Sequence, residues 1–199
     1  MGRIKTETKK LEIVKSIYRI ISRKGLEAAT LKAIGKEMNV APSLLMHYFK
    51  NKEEMIIALV DYMVSQMERA YINEMKKFRT AKERLVFYLN RTLDLNVASN
   101  VDDRVFYTCF YLTMQNERIR ESFIKMYDHD EKMISQLLLD YMKETEISGF
   151  DPKSFAIQIT AFVEGFYYYK MIYGESEELK KSISRLKKTV FKELGLRNE

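Results

Sequence analysis

The chain has 199 residues, of which 46% are hydrophobic and 31% charged, a balance typical of a folded protein with one large or two small domains. Only 7 glycines and 2 prolines interrupt it, which favours long helices over strands. The net charge of +6 comes from residues 1–50, which carry +7, whereas residues 51–199 carry −1. This basic first quarter favours a polyanionic partner such as DNA.

Other bulk features disfavour whole classes of protein. No segment approaches about 18 uncharged apolar residues, so we expect no membrane partner. The basic N-terminus is not followed by an apolar run, so no secretory signal is expected. The single cysteine, Cys109, excludes an internal disulfide and a cysteine-based metal cluster. We therefore expect a cytoplasmic protein without a cofactor.

The first 50 residues contain the most informative pattern. A first helix is predicted over Thr8–Lys24 and ends before Gly25. Thr30 caps a second short helix, Asn39 supplies the left-handed turn, and Pro42 lies in the first turn of a third helix. Two short helices joined by a tight turn are typical of a helix-turn-helix DNA reader. The apolar face of the first helix is predicted to comprise Leu11, Val14, Ile17, Tyr18 and Ile21.

The remainder of the chain also reads as helix, which makes the predicted fold all-α with nine helices. Candidate caps at Asn51, Thr80, Asp151 and Ser176 mark four helix starts, each with an acidic residue in or beside the first turn. The predicted later helices are 52–77, 81–97, 102–115, 117–146, 151–173 and 176–194.

Several residues between positions 8 and 60 match the residue types of a known protein family at the same spacing. These are Gly25, Thr30, Ile34-Gly35, Val40, Leu45, Tyr48-Phe49 and the run Lys52-Glu-Glu-Met55. The segment resembles the DNA-binding domain of the tetracycline-repressor (TetR) family of bacterial regulators, and Phe162–Phe166 resembles part of the family's first dimerisation helix. The resemblance implies a three-helix DNA-binding head at residues 1–52 and a larger helical ligand-binding and dimerisation domain at residues 53–199.

The resemblance also implies which side chains of the head meet DNA. Leu45 and Phe49, four residues apart, are expected to turn inward, so that the rest of the third helix faces the major groove. The groove-facing candidates are Pro42, Ser43, Leu44 and His47, and the candidate phosphate contacts are Thr30, Tyr48 and Lys52.

Three positions of the head depart from the family's pattern. Ala41 stands where a serine cap is common, so the third helix lacks a capping oxygen. Met46 stands where a tyrosine is common, which removes an expected phosphate contact. Leu44 replaces a smaller or more polar residue. These departures bear on the operator sequence rather than on DNA binding itself.

Residues 81–173 are rich in Phe, Tyr and Met, which suits a pocket for a lipophilic small-molecule effector. Helix 102–115 is apolar nearly all round, which predicts burial, and helix 151–173 has a second apolar face that predicts a partner or a cavity. Helices 151–173 and 176–194 are expected to form a two-fold four-helix homodimer interface. The candidate ligand-binding residues are Phe87, Asn90, Phe106, Phe110, Phe123, Tyr127, Gln158 and Phe162.

The resulting hypothesis is a dimeric repressor that leaves an inverted-repeat operator when a ligand tilts helix 52–77. An activator, a regulator without a ligand and a membrane-surface protein that uses the first helix stay open as alternatives. An enzyme is disfavoured because the chain has two histidines, one cysteine and no glycine-rich phosphate loop. A metal site at His129 is disfavoured because its neighbouring acids point in different directions on a helix. We assign no catalytic or metal-binding residues.

Overall fold

The computed structural model describes residues 2–94 and 101–196, with only the backbone described at residues 2–5, 68 and 70. Within these ranges the chain forms nine α-helices and one short 3-10 helix, Leu26–Ala28, and has no strand. The predicted all-α fold is confirmed. The α-helices are α1 (Gly2–Lys24), α2 (Leu31–Met38), α3 (Pro42–Tyr48), α4 (Lys52–Met75), α5 (Ala81–Thr92), α6 (Asp103–Leu112), α7 (Glu117–Thr145), α8 (Pro152–Tyr173) and α9 (Glu177–Glu193).

Side-chain caps begin the helices where the sequence predicts them. At α5 the Glu83 amide donates to Thr80 Oγ1 at 3.1 Å and the Thr80 amide donates to Glu83 Oε2 at 3.0 Å, which completes a capping box. Asp151 and Ser176 cap α8 and α9 by accepting a backbone N–H three residues further on. Helix α5 ends at Thr92 rather than at residue 97, and residues 95–97 lie outside the described ranges.

The chain divides into two compact units. The first contains Met1–Ala70 and Ser99–Met126, and the second contains Tyr71–Ala98 and Tyr127–Glu199. Helices α4 and α7 therefore contribute residues to both units. The domain boundary expected at residue 52 falls inside the first unit. The division into a DNA-binding part, residues 1–52, and a ligand-binding and dimerisation part, residues 53–199, stays a prediction.

Helix α1 contributes the most apolar side chains to the buried interior of the three-helix head. Leu11 was expected on the buried face but is 41% exposed, because it lies about 120° around the helix from the centre of that face. Tyr18 is half-buried at the edge of the face. The buried side chains of α1 are Ile13, Val14, Ile17, Ile20 and Ile21.

The core of the second unit is closed by the C-terminal helix. The Tyr141 hydroxyl donates to the Leu194 carbonyl at 2.7 Å, which ties the end of α9 to α7. The apolar stripe of α9 is buried inside this unit, so it is not available to a second copy. The predicted homodimer through helices 151–173 and 176–194 stays a prediction, in which α9 would contribute side chains outside this stripe. The buried stripe comprises Leu179, Ile183, Val190 and Leu194.

Helix α6 is buried on one side only, in contrast to the predicted burial all round. Val105 and Cys109 are fully buried, whereas Tyr111 is 56% exposed. Met114, just beyond the end of the helix, is 71% exposed. The prediction from apolar residues all round α6 therefore overestimates its burial, because only one side of the helix is covered by its own chain.

Candidate nucleic-acid interface

The head places α3 by means of local signals at each end of α2. Thr30 caps α2 by accepting a hydrogen bond from the Ala33 amide at 3.1 Å. Asn39 ends α2 with φ 54° and ψ 46°, the left-handed conformation that asparagine tolerates. Helix α3 then begins at Pro42, whose missing amide hydrogen costs nothing in a first turn. The predicted helix-turn-helix is confirmed at these positions.

The turn between α2 and α3 lies directly against Gly35. The Val40 amide donates to the Gly35 carbonyl at 2.9 Å. A Cβ atom on Gly35 would lie 2.8 Å from the Val40 carbonyl oxygen and 3.4 Å from the Pro42 nitrogen. The absence of a side chain at this position therefore allows α3 to begin where it does.

Helix α3 presents its buried and exposed sides as predicted. Leu45 is 1% exposed and Phe49 is 4% exposed, and both anchor the helix in the head. Tyr48 is half-buried, and its ring meets the His47 ring edge-on with centroids 5.3 Å apart. The side chains that α3 turns to solvent are Pro42, Ser43, Leu44, Met46 and His47.

The residues predicted to contact phosphate lie at the starts or ends of the helices of the head. Thr30 and Lys52 are both exposed, at the starts of α2 and α4. The start of α4 is fixed by Asn51, which accepts the Glu54 amide at 2.8 Å. Lys10 of α1 places its Nζ atom 5.8 Å from the centroid of the Phe49 ring. This cation near α3 was not among the residues predicted from the sequence. Its signal was the basic pair at residues 9–10.

Two polar connections join α1 and the start of α4 to the starts of α6 and α7 within the first unit. The Ser22 hydroxyl donates to the Asp102 carboxylate, and the Asp102 amide donates to the Tyr18 hydroxyl. Hydrogen bonds from Arg104, and then from Ser22, lower the pKa of Asp102 to about 2. At the start of α4, the Glu53 carboxylate binds Asn116 and Arg118.

The predicted ligand-binding residues fall into both units. In the first unit, Phe123 contacts Phe106 and Phe110 edge-on, with ring centroids 5.6 and 5.9 Å apart. These three side chains form a ring cluster. Cys109 lies on the same helix as Phe106 and Phe110, and burial raises the pKa of its thiol to about 12. The cluster offers apolar and aromatic contacts and no ionised group.

The other five predicted ligand-binding residues belong to the second unit and do not form one cluster. Phe87 stacks on Phe78 with ring centroids 5.0 Å apart, and Asn90 is half-buried on the same helix. The Tyr127 hydroxyl donates to Glu164 Oε1 at 3.0 Å, which connects α7 to α8. The remaining two residues, Gln158 and Phe162, are exposed on α8.

Helix α8 has a largely apolar face that the described residues do not cover. The Tyr169 and Tyr173 rings contact each other with their centroids 4.5 Å apart, and both side chains remain exposed. Gln158 lies on this face rather than in the core. The exposed apolar side chains of α8 are Ile157, Phe162, Tyr168, Tyr169, Met171, Ile172 and Tyr173.

Residues 2–94 and 101–196 contain neither a metal-binding cluster nor a membrane-spanning helix. No group of three or more His, Cys, Asp and Glu side chains there could hold a metal ion. No helix in the same ranges is long and apolar enough to cross a membrane.

Comparison with known proteins agrees with the architecture of both halves. Residues 13–59 match the model of the tetR family of bacterial regulatory proteins, and residues 80–196 match that of the tetracyclin repressor-like C-terminal domain. The chain is 28% identical over 87 residues to the fatty acid metabolism regulator protein of Bacillus subtilis (strain 168), covering 44% of this chain and 45% of that protein. It spans less than half the length of the curated relatives it matches.

Solved structures share the fold along nearly the whole chain. A TetR-family transcriptional regulator from Cytophaga hutchinsonii is 16% identical with a TM-score of 0.78, and 98% of each chain is covered. The transcriptional regulator FadR from Bacillus subtilis, in complex with stearoyl-CoA, is 20% identical with a TM-score of 0.69, covering 92% of this chain and 96% of that one. This chain belongs to the TetR family of bacterial regulatory proteins, because residues 13–59 and residues 80–196 both match models of that family.

Proposed function

We propose that this chain is a sequence-specific, DNA-binding transcriptional regulator, most simply a repressor that acts in the cytoplasm on an inverted-repeat operator. The observation that carries the proposal is the exposed face of α3, which is held outward by the buried Leu45 and Phe49. A helix presented in this way fits the major groove. The +7 charge of residues 1–50 supplies the sequence-independent attraction to phosphate.

Selection of bound duplexes from a random pool tests the proposal without a guess about the operator. A dimeric reader should enrich an inverted repeat whose half-sites lie about one helical turn apart, or a multiple of it. If the folded, dimeric protein enriches no sequence, sequence-specific binding is excluded.

Lys52 provides a separate test of how the phosphates are held. Lys52→Ala should weaken every duplex by the same factor and reduce the salt slope by about 0.9, the value for one lost phosphate contact. Lys143→Ala, at an exposed lysine of α7, is the matched control and should leave binding unchanged. A loss confined to one base pair would contradict the phosphate role.

Ser43 is proposed to read a base edge rather than a phosphate. Ser43→Ala should change the preference among selected duplexes, because the hydroxyl is one of few polar groups on the exposed side of α3. Unchanged preference with uniformly weaker binding would assign Ser43 to the backbone instead.

A homodimer through α8 and α9 is the second part of the proposal, with the exposed face of α8 as its apolar centre. The exposed face of α8 combines aromatic and aliphatic side chains, the composition found at the centres of homodimer interfaces. Gln158 and Phe162 are accordingly assigned to this interface instead of to the ligand. Ile172→Glu should give a monomer in sedimentation velocity, whereas Met114→Glu, at an exposed apolar site just beyond α6, should not. A dimeric Ile172→Glu would contradict the role of α8.

The third part is an effector with a lipophilic portion. Its support is the ring cluster of Phe106, Phe110 and Phe123, together with the stearoyl-CoA held by the related FadR. A ligand that lowers operator occupancy a hundredfold must prefer the non-binding state by about 2.7 kcal/mol. Asn90 and Tyr127 stay candidates for holding the polar end.

Operator release measured by fluorescence anisotropy tests the effector, with stearoyl-CoA as the probe and free CoA as the control. Phe110→Ala should raise the concentration of stearoyl-CoA that gives half-release. Tyr111→Ala, at the exposed neighbouring position of α6, should leave it unchanged. Equal responses of the two variants would remove the ring cluster from the proposed site.

A further inference from the structure

Two large apolar side chains stand on the exposed side of α3. Leu44 is 39% exposed and Met46 is 43% exposed, although Leu45, which lies between them in the sequence, is fully buried. At about 100° per residue, Leu44 and Met46 lie on opposite flanks of the outward face, with Ser43 and His47 between them. Both apolar side chains therefore border the surface that is proposed to enter the groove.

The same helix lacks the side chains that read bases by paired hydrogen bonds. Guanine is read by arginine or lysine, and adenine by asparagine or glutamine, each through two hydrogen bonds. None of these residue types occurs in Pro42–Tyr48, all of which the structure describes. Ser43 and His47 are the exposed polar side chains of this helix, and Tyr48 is half-buried.

Among the base edges in the major groove, the thymine C5 methyl group is the feature that apolar side chains recognise. The leucine side chain offers branched methyl groups, and the flexible thioether of methionine adapts to an uneven apolar surface. Both lie on a short helix whose position is fixed by Leu45 and Phe49, so their reach is defined by the head.

We propose that Leu44 and Met46 read thymine methyl groups, so that each operator half-site carries thymines where the two flanks of α3 meet it. The inference rests on the proposed DNA-reading function and specifies the base chemistry that the site prefers. Hydrogen-bond readout by Ser43 then contributes beside contacts that are mainly apolar.

The test uses the selected operator and replaces its thymines one at a time by deoxyuridine, which removes only the methyl group. Each methyl group that α3 covers should cost about fourfold in affinity, the factor that corresponds to roughly 0.8 kcal/mol per buried methyl-sized group. Leu44→Ala should abolish the penalty at one position of each half-site, and Met46→Ala at another. Leu139→Ala, at a 37% exposed leucine of α7, is the matched control and should retain every penalty.

Each other result overturns the inference in a recognisable way. An operator without deoxyuridine penalties leaves the proposed function standing and removes thymine reading. Penalties that persist unchanged in both α3 variants assign the methyl effect to another residue or to DNA shape. Failure to enrich any sequence removes both the function and the inference. Both variants change exposed side chains, and unchanged thermal unfolding confirms that each variant is folded.

Discussion

Gly35→Ala tests whether close approach of the turn to α2 holds the reading helix in place. The new Cβ atom would lie 2.8 Å from the Val40 carbonyl oxygen, inside any ordinary contact distance, and backbone rather than a flexible side chain must move. Overpacking of this kind costs about 1–3 kcal/mol. Alanine in place of glycine also favours the helix by about 1 kcal/mol, which offsets part of that cost.

Gly165→Ala is the matched control when the stabilities of both glycine variants are compared in the monomeric Ile172→Glu background, where no second copy covers α8. Gly165 is also helical, and a Cβ atom on it would meet nothing within 4 Å in its own chain. Both variants gain the same helix propensity, so the difference between them isolates the steric cost of about 1–3 kcal/mol. For a chain of this size, each 1 kcal/mol shifts the melting temperature by about 2–4 °C. Gly35→Ala should therefore melt several degrees below Gly165→Ala.

Differential scanning calorimetry gives the two melting temperatures, and duplex binding gives the functional consequence. The backbone that must move is at Val40, two residues before Pro42 begins α3. Gly35→Ala should therefore also weaken operator binding at temperatures where the protein is still folded. Equal melting temperatures for the two variants, with normal DNA binding by Gly35→Ala, would refute the argument that this contact positions α3.

Three further substitutions probe single polar groups. Ser16→Ala should leave the free energy of unfolding in urea unchanged or raise it, because the fully buried Ser16 Oγ has no hydrogen-bond partner among the described residues; a loss above about 1 kcal/mol would contradict this. Tyr141→Phe should lower the same free energy by about 1–3 kcal/mol, since the buried Leu194 carbonyl loses its donor; an unchanged value would show that the bond contributes nothing. The pKa of Asp102 is about 2 in the folded chain and about 3.9 when unfolded, so its contribution to stability is complete above about pH 5 and is lost as the pH falls towards 2. Unfolding measured across this range should be less pH-dependent for Asp102→Asn, and identical profiles would contradict the assignment.

The helix-turn-helix could be predicted because its determinants are local. The Thr30 cap, the left-handed Asn39 and the first-turn Pro42 each act on backbone groups within a few residues, so sequence order alone brings the partners together. The same holds for the capping box of Thr80 and Glu83. The inward direction of Leu45 and Phe49 follows from helical periodicity once α3 is placed.

Contacts between residues distant in the sequence carried no comparable signal. The hydrogen bonds of Asp102 with Ser22 and of Glu53 with Asn116 join residues more than 60 positions apart, and nothing in their local sequence indicates the pairing. The predicted ligand-binding residues are divided between the two units, and contacts among them are seen for Phe106, Phe110 and Phe123. Aromatic composition identifies candidates, whereas packing decides which rings meet.

What the sequence by itself determined was the all-α fold, the helix-turn-helix and the direction in which α3 faces, because each depends on periodicity or on caps within a few residues. Only the tertiary structure decided how the apolar faces are used. The stripe of α9 and the second face of α8 are alike in apolar content, yet Ile183 is buried and Ile172 is 59% exposed. Burial depends on which other helix covers a face, and that is a property of the packed chain rather than of any segment.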